Sequence, residues 1–491
     1  MLKSSSKRYE RLYKEERAVP ELPQTIVEAG QWLRSGKITA AELTEAMLAR
    51  CHAAQEHLGA FNAITDEAAM AAARAADDGF ARGIDRGLLQ GIPLAIKDLL
   101  ATSDAPTTAN SRVLDPAWGQ RADATVVRKL RAAGAVLVGK TVLHEFANGW
   151  PDPATGFPIA KNPWDPARTT GGSSSGTGAA VCAGLALGGI GSDTGGSIRQ
   201  PASYCGISGI KPTFGRVSKE GCVPLGYSLD NLGPLARTVR DCAIMLEAIA
   251  GYDPADPCTV NVLVPSMTAG LDGTLAGVRI GIPRDYFFSA PELDAEVKAS
   301  VLAAVEAMHD AGATVVDVDL PYTESAAVAQ RVTISAEAYA YHERDLQERP
   351  ELYGMHTRLR LLHGMMYTAA DFVQAQRVRS VVRDAWTAAM VHRAVDVLIT
   401  PTATAIAPTF AGYDGMKVDT SPSFTGVWNL VGFPALSIGC GFSKEGLPIG
   451  MQIVGAPFTE PTIFRVGDAY QRITDWHTRV PDVDFATEVT A

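Results

Sequence analysis

Residues 169–181 read TTGGSSSGTGAAV. From Gly171 to Gly178 the run holds four glycines and four hydroxyl side chains, with no charge and no histidine. Such a run can cradle a phosphate, present a nucleophilic serine, or let backbones pass close together. The phosphate reading fails on chemistry. A P-loop needs Lys-Ser/Thr after its second glycine, and Thr177-Gly178 stand there instead. The dinucleotide pattern fails too, because Gly176-Thr177-Gly178 leads to Val181.

The second reading is a nucleophile elbow. Gly172-Ser173-Ser174-Ser175-Gly176 satisfies G-x-S-x-G and would make Ser174 the nucleophile of an α/β-hydrolase-type esterase. That motif needs a strand before it, and the preceding KNPWDPARTT, with its two prolines, reads as loop. It also needs a downstream histidine. His477 is the late one, in QRITDWHTRV, which reads as the end of a terminal helix.

Two further stretches add chemistry. In GSDTGGSIRQPA (191–202), Ser197 follows Thr194-Gly195-Gly196. Paired glycines let consecutive backbone N–H groups converge, which is one way to build an oxyanion hole; alone, such a turn is only a tight turn. In GIPLAIKDLL (91–100), Lys97 sits in an apolar run with Asp98 beside it. It reads either as a surface lysine paired with its neighbour or as a buried one. Burial lowers a lysine pKa, and a neutral lysine is a competent general base.

The whole chain frames these motifs. It has 491 residues, with 46% hydrophobic and 20% charged. That composition belongs to a globular enzyme with a large core. A formal net charge of −10 argues against a broad nucleic-acid surface. Seven scattered cysteines without C-x-x-C argue against disulfide or zinc frameworks and for reduced, cytoplasmic thiols. No metal or cofactor is expected, and no apolar run is long enough to span a bilayer.

Helical patterns alternate with short β-branched runs. TAAELTEAMLARC opens with the capping box Thr39–Glu42. DATVVRKLRAAGAVLVGKT reads as helix, glycine stop and buried strand, and residues 294–321 repeat that grammar. Strands are also expected at 278–283, 395–401 and 447–455. The expectation is an α/β fold: an arm over 1–22, then one large domain over 23–485. Its central, mostly mixed sheet would be covered by helices on both faces. A helical insertion at about 322–393 would lie on the substrate side.

Taken together, GIPLAIKD, KNPWDPARTTGGSSSGTGAA and GSDTGGSIRQPASYCGISGIKPTFGRVS resemble the amidase signature family. SLDNLGPLARTV, DVLITPT and NLVGFPALSI extend the resemblance over about residues 25–475. It implies a Ser–cis-Ser–Lys triad: Ser197 as nucleophile, Ser173 as the bridging serine 24 positions before it, and Lys97 as base. It also implies a cis peptide between Gly172 and Ser173, and an oxyanion hole from the N–H groups of Thr194, Gly195, Gly196 and Ser197. Ser174 becomes a supporting residue, and Ala147, Asn148 and Gly149 border the acyl side of the pocket. Relatives commonly read GGSSGGS, so Ser175 and Thr177 are departures. A side chain at 175 is expected to stiffen the loop or narrow the site's edge.

Within the family, two kinds of member compete. The glutaminase component of tRNA-dependent amidotransferases, their A subunit, holds glutamine with an arginine, here Arg358 or Arg360, and an aspartate. The aspartate's place falls near Ser421-Pro422-Ser423, where no acid stands, Asp419 being slightly early. Such glutaminases also usually carry EFAMGSS where this chain has EFANGWPDP. Trp150, Phe157, Phe424 and Trp428 are candidate pocket walls. The reading therefore favours a stand-alone hydrolase of an amide, anilide or carbamate, or of an ester. It expects a small-molecule substrate, no nucleic acid, no membrane, and a monomer or homodimer.

Overall fold

The computed structural model describes residues 22–119, 122–412, 423–483 and 485. The expected N-terminal arm and residues 413–422, which include Asp419, Ser421 and Pro422, fall outside these apart from Leu22.

The chain begins with α1 (Ile26–Ser35), α2 (Ala40–Leu58), β1 (Phe61–Ile64) and α3 (Asp66–Ala81). The Thr39–Glu42 capping box forms at the start of α2. Next come β2 (Pro93–Lys97), α4 (Thr125–Ala132), β3 (Val136–Thr141), and a ribbon of β4 (Lys161–Asn162) and β5 (Asp165–Thr169). The central part follows: α5 (Ser175–Cys182), β6 (Gly188–Asp193), α6 (Arg199–Cys205), β7 (Ser208–Lys211), β8 (Asn231–Ala236) and α7 (Val239–Ile249). The last third holds β9 (Arg279–Ile282), α8 (Ala295–Asp310), β10 (Thr314–Asp317), α9 (Thr323–Glu348), α10 (Met355–Leu362) and α11 (Ala369–His392). It closes with β11 (Val397–Pro401), α12 (Gly426–Val431), β12 (Ala435–Phe442), β13 (Pro448–Gly455) and α13 (Glu460–Ile473).

Among the described residues, eleven strands form one mixed sheet in the order β1-β3-β2-β6-β8-β7-β12-β13-β11-β9-β10. β3, β2 and β6 run parallel, as do β10, β9 and β11. The remaining neighbours are antiparallel. Every residue of β2, β3, β6, β7, β8, β11 and β13 is buried, as strands covered on both faces require. The chain is thus a single α/β domain with helices on both faces.

Two sequence expectations need amendment. The strand expected to stop near Val138 runs on to Thr141, because β1 and β2 both pair with it there. The proline-bearing stretch 161–169 is not all loop. It folds as the β4–β5 ribbon, apart from the main sheet. Pro163 lies between the two strands and Pro166 is exposed on β5, so neither interrupts a central ladder.

The parallel trio β3, β2, β6 places three chain segments at one end of the sheet, the carboxyl ends where open α/β sheets hold ligands. Helix α9 packs on both α10 and α11. They meet the sheet side through a second apolar cluster in which Ala338, Leu346 and Leu361 join Leu99, Phe146 and Val223.

Candidate active site

Lys97 ends β2 and is fully buried. Its Nζ donates to Ser173 Oγ at 2.8 Å, Ser174 Oγ at 3.0 Å and Ser192 Oγ at 2.8 Å. Among the described residues no carboxylate bonds to it. Burial pulls its pKa down to about 7, with Cys222, Asp193 and Asp230 only partly opposing that. The chain neighbour Asp98 does not serve it. Side chains alternate along a strand, so Asp98 follows Ile96 to the opposite face. There it pairs with buried Lys140 of β3 at 2.9 Å.

The loop before α5 carries a cis peptide between Gly172 and Ser173. Gly172 has no alternative side chain. A Cβ there would lie 2.0–2.5 Å from atoms of the His144 ring. The His144 N–H donates to Ser173 O at 3.2 Å, and the Ser174 N–H donates to Ser197 O at 3.2 Å. Ser174 Oγ is buried, bonded to Lys97 and to the main chain of Ser192. A hydroxyl so enclosed is not an elbow nucleophile. The strand before it, β5, also belongs to the ribbon and not to the central sheet. His477 lies in the short turn Trp476–Thr478 beyond α13.

Ser197 lies in the turn between β6 and α6 and is partly exposed, while Asp193, Thr194 and Ile198 around it are buried. Asp193 organises this turn. It accepts N–H bonds from Gly196 at 2.8 Å and Ile198 at 3.1 Å, and pairs with Arg199 at 2.9 Å. Burial alone would raise this carboxyl; Arg199 more than offsets it and holds it below the usual carboxylate range. Asn429 and Gln452 complete the cage through Asp193 and Arg199. One expectation changes here. The Gly196 N–H points at Asp193, so it is not a donor to the site; Thr194, Gly195 and Ser197 remain as candidates. Gly196 sits at φ +130, and a Cβ would fall 2.3 Å from Thr425 Oγ1, whose hydroxyl holds Gly195 O at 2.6 Å.

On the other side, Ala147 adopts φ 59 and leads to Asn148 and Gly149. His144 Nδ1 meets Gly149 O at 3.2 Å. Trp150 lies between His144 and Phe410, with ring centroids 6.1 and 6.3 Å away. Phe157 lines a small cavity shared with Glu145 and Ser175. Phe424 and Trp428 are core and not pocket wall. They pack on Phe287 at 5.5 and 5.4 Å and are almost wholly buried. Arg358 is turned to Pro350 O, whereas Arg360 is exposed and its charge is felt at His144. His144, Ser192, Asp193 and Arg199 are the site residues that motif reading passed over.

The family model Amidase matches residues 42–464. The chain belongs to the amidase family. It is an enzyme of the class that breaks carboxylic amide C–N bonds. Among its relatives is the A subunit of the glutamyl-tRNA(Gln) amidotransferase of Chloroflexus aggregans, 43% identical over 94% of this chain and 98% of that one. Among solved amidase structures, the peptide amidase of Stenotrophomonas maltophilia superposes with a TM-score of 0.80 at 30% identity, covering 93% of this chain and 98% of that one. The A subunit of the glutamyl-tRNA(Gln) amidotransferase of Thermotoga maritima gives 0.75 at 32%, covering 88% and 91%.

These relatives correct the partner expectation. Proteins matched along nearly their whole length are named as one subunit of an enzyme acting on glutamyl-tRNA(Gln). The expectation of a small-molecule substrate with no nucleic acid conflicts with these relatives. Net charge is a poor guide here, because it averages over a whole chain. Among the described residues no helix of this amidase is long and apolar enough to cross a membrane.

Proposed function

We propose that this amidase is the amide-cleaving subunit of a tRNA-dependent amidotransferase and releases ammonia from glutamine. The observation that carries this reading is full-length likeness, at 43–44% identity, to proteins named as the A subunit of such enzymes. Exposed on α10, Arg360 would hold the substrate carboxylate.

In this reading neutral Lys97 draws the proton of Ser173, Ser173 draws that of Ser197, and Ser197 Oγ attacks the amide carbon. The N–H groups of Thr194, Gly195 and Ser197 would stabilise the oxyanion. The proton passes back to the leaving nitrogen, which departs as ammonia and leaves an acyl-serine. Water, deprotonated along the same path, then releases glutamate.

A second reading is a hydrolase of aryl amides, anilides, carbamates or esters. Trp150, set between His144 and Phe410, favours it by offering an aromatic wall next to the site. Ammonia release from L-glutamine, measured beside p-nitroaniline release from acyl p-nitroanilides, separates the two. The first reading expects glutamine turnover that rises when partner subunits and charged tRNA are added. Efficient anilide cleavage with no glutamine turnover under any condition would overturn it. Ser197→Ala should abolish either activity.

A further inference from the structure

His144 is outside every family motif, yet it touches three parts of the site. Its main-chain N–H holds Ser173 O at 3.2 Å. Its ring fills the space that Gly172 leaves open. Its Nδ1 bonds Gly149 O at 3.2 Å, on the loop expected to border the acyl group.

The tautomer follows from these contacts. A carbonyl oxygen only accepts, so Nδ1 carries the hydrogen and Nε2 keeps a lone pair. Nε2 is buried and finds no partner among the described residues. Leaving such an atom unsatisfied is unfavourable, a cost that phenylalanine at this position would avoid. Volume alone therefore does not account for an imidazole here; the Nδ1 donor does. Burial, with the charges of Lys97 on β2 and Arg360 on α10, pushes the ring's pKa down to about 3. The imidazole stays neutral across the working pH range.

We propose that His144 is a positioning residue. It ties the acyl-side loop at Gly149 to the Ser173 peptide, and so fixes the Ser173 hydroxyl between Lys97 and Ser197. It acts through Ser173 and performs no proton transfer of its own.

The test uses the full chain and the rate at which a fluorophosphonate labels Ser197, so it does not depend on which amide is the natural substrate. His144→Phe keeps the ring volume and removes the donor. Its labelling rate should fall roughly 10- to 100-fold, as small misplacements of catalytic groups do. Its rate-against-pH limb should move away from that of the wild type, because Ser173 no longer reports the Lys97 titration in the same geometry. His144→Asn places an amide N–H where Nδ1–H was and should recover labelling to within about fivefold of wild type. Thermal melts of both variants show that each is folded. Wild-type labelling by His144→Phe would overturn the proposal. So would equal losses in the Phe and Asn variants with an unmoved pH limb, which would mark a purely structural role. Should His144→Phe fail to fold, His144→Asn against His144→Ala carries the same comparison.

Discussion

Lys97 Nζ lies 2.8 Å from Ser173 Oγ, and among the described residues no carboxylate bonds to either group. The lysine's hydrogen bonds all go to hydroxyls, and burial brings its pKa to about 7. The neutral form is the base, so turnover should fall as pH drops through that value. A profile of kcat/KM from pH 5 to 9 on any cleaved amide should show an acid limb near neutrality. Lys97→Ala should cost about 10²–10⁴-fold, the usual range for a general base.

The same shift makes a stability prediction of definite sign. The folded pKa lies below the ordinary lysine value of 10.5, so between about 7 and 10.5 the unfolded chain binds the extra proton. Stability therefore rises with pH across that window, and Lys97 weakens the fold most below it. Lys97→Met removes this term, worth on the order of a few kcal/mol. Melting temperatures of variant and wild type should differ more in the variant's favour at pH 6 than at pH 10.

Two glycines should tolerate nothing larger. Gly172→Ala drives a methyl into the His144 ring, and Gly196→Ala drives one into Thr425. Each should cost about 1–3 kcal/mol or more in urea unfolding and most of the activity. Gly446→Ala is the control. Its φ is +78, positive as at Gly196, but it has open space around it, so only backbone strain is added.

Breaking the buried Asp193–Arg199 pair should be worse than either glycine change. Arg199→Met leaves a carboxylate enclosed without its cation, and such losses run to about 3–5 kcal/mol. A large drop in the denaturation midpoint, together with loss of Ser197 labelling, is the expected result.

Sequence reasoning expects the side chain of Ser175 to stiffen its loop or to narrow the site's edge. The Ser175 hydroxyl meets Val142 O at 3.4 Å at the start of α5, beside a cavity of about 10 Å³. Ser175→Gly should lower stability by at most about 1 kcal/mol. Ratios of kcat/KM among different amides should stay as they are.

Much of the site is legible in the sequence because its parts are local. Lys97, Ser173 and Ser197 each sit in a compact motif whose residue types announce the chemistry. His144 is not legible, because its ring lies in the Cβ space of a glycine 28 positions away. Nothing within its own segment records that contact. Phe424 and Trp428 mislead for the opposite reason: an aromatic near a motif looks alike in core and in wall, and only Phe287 packed on both decides the matter. The role of Asp98 can be inferred. In a strand the next residue faces away, so the lysine–aspartate doublet is not a pair.

That half-turn between residues 97 and 98 acts as an electrical insulator one peptide thick. A one-residue insertion or deletion within 92–96 would exchange the two faces, turning Lys97 toward Lys140 and Asp98 toward the serines. The serines would then meet a carboxylate where their amine base had been. Every member of the triad would still be present, and the enzyme would be silent. Loss of function in this lineage can therefore arise by a shift of register, with no catalytic side chain replaced.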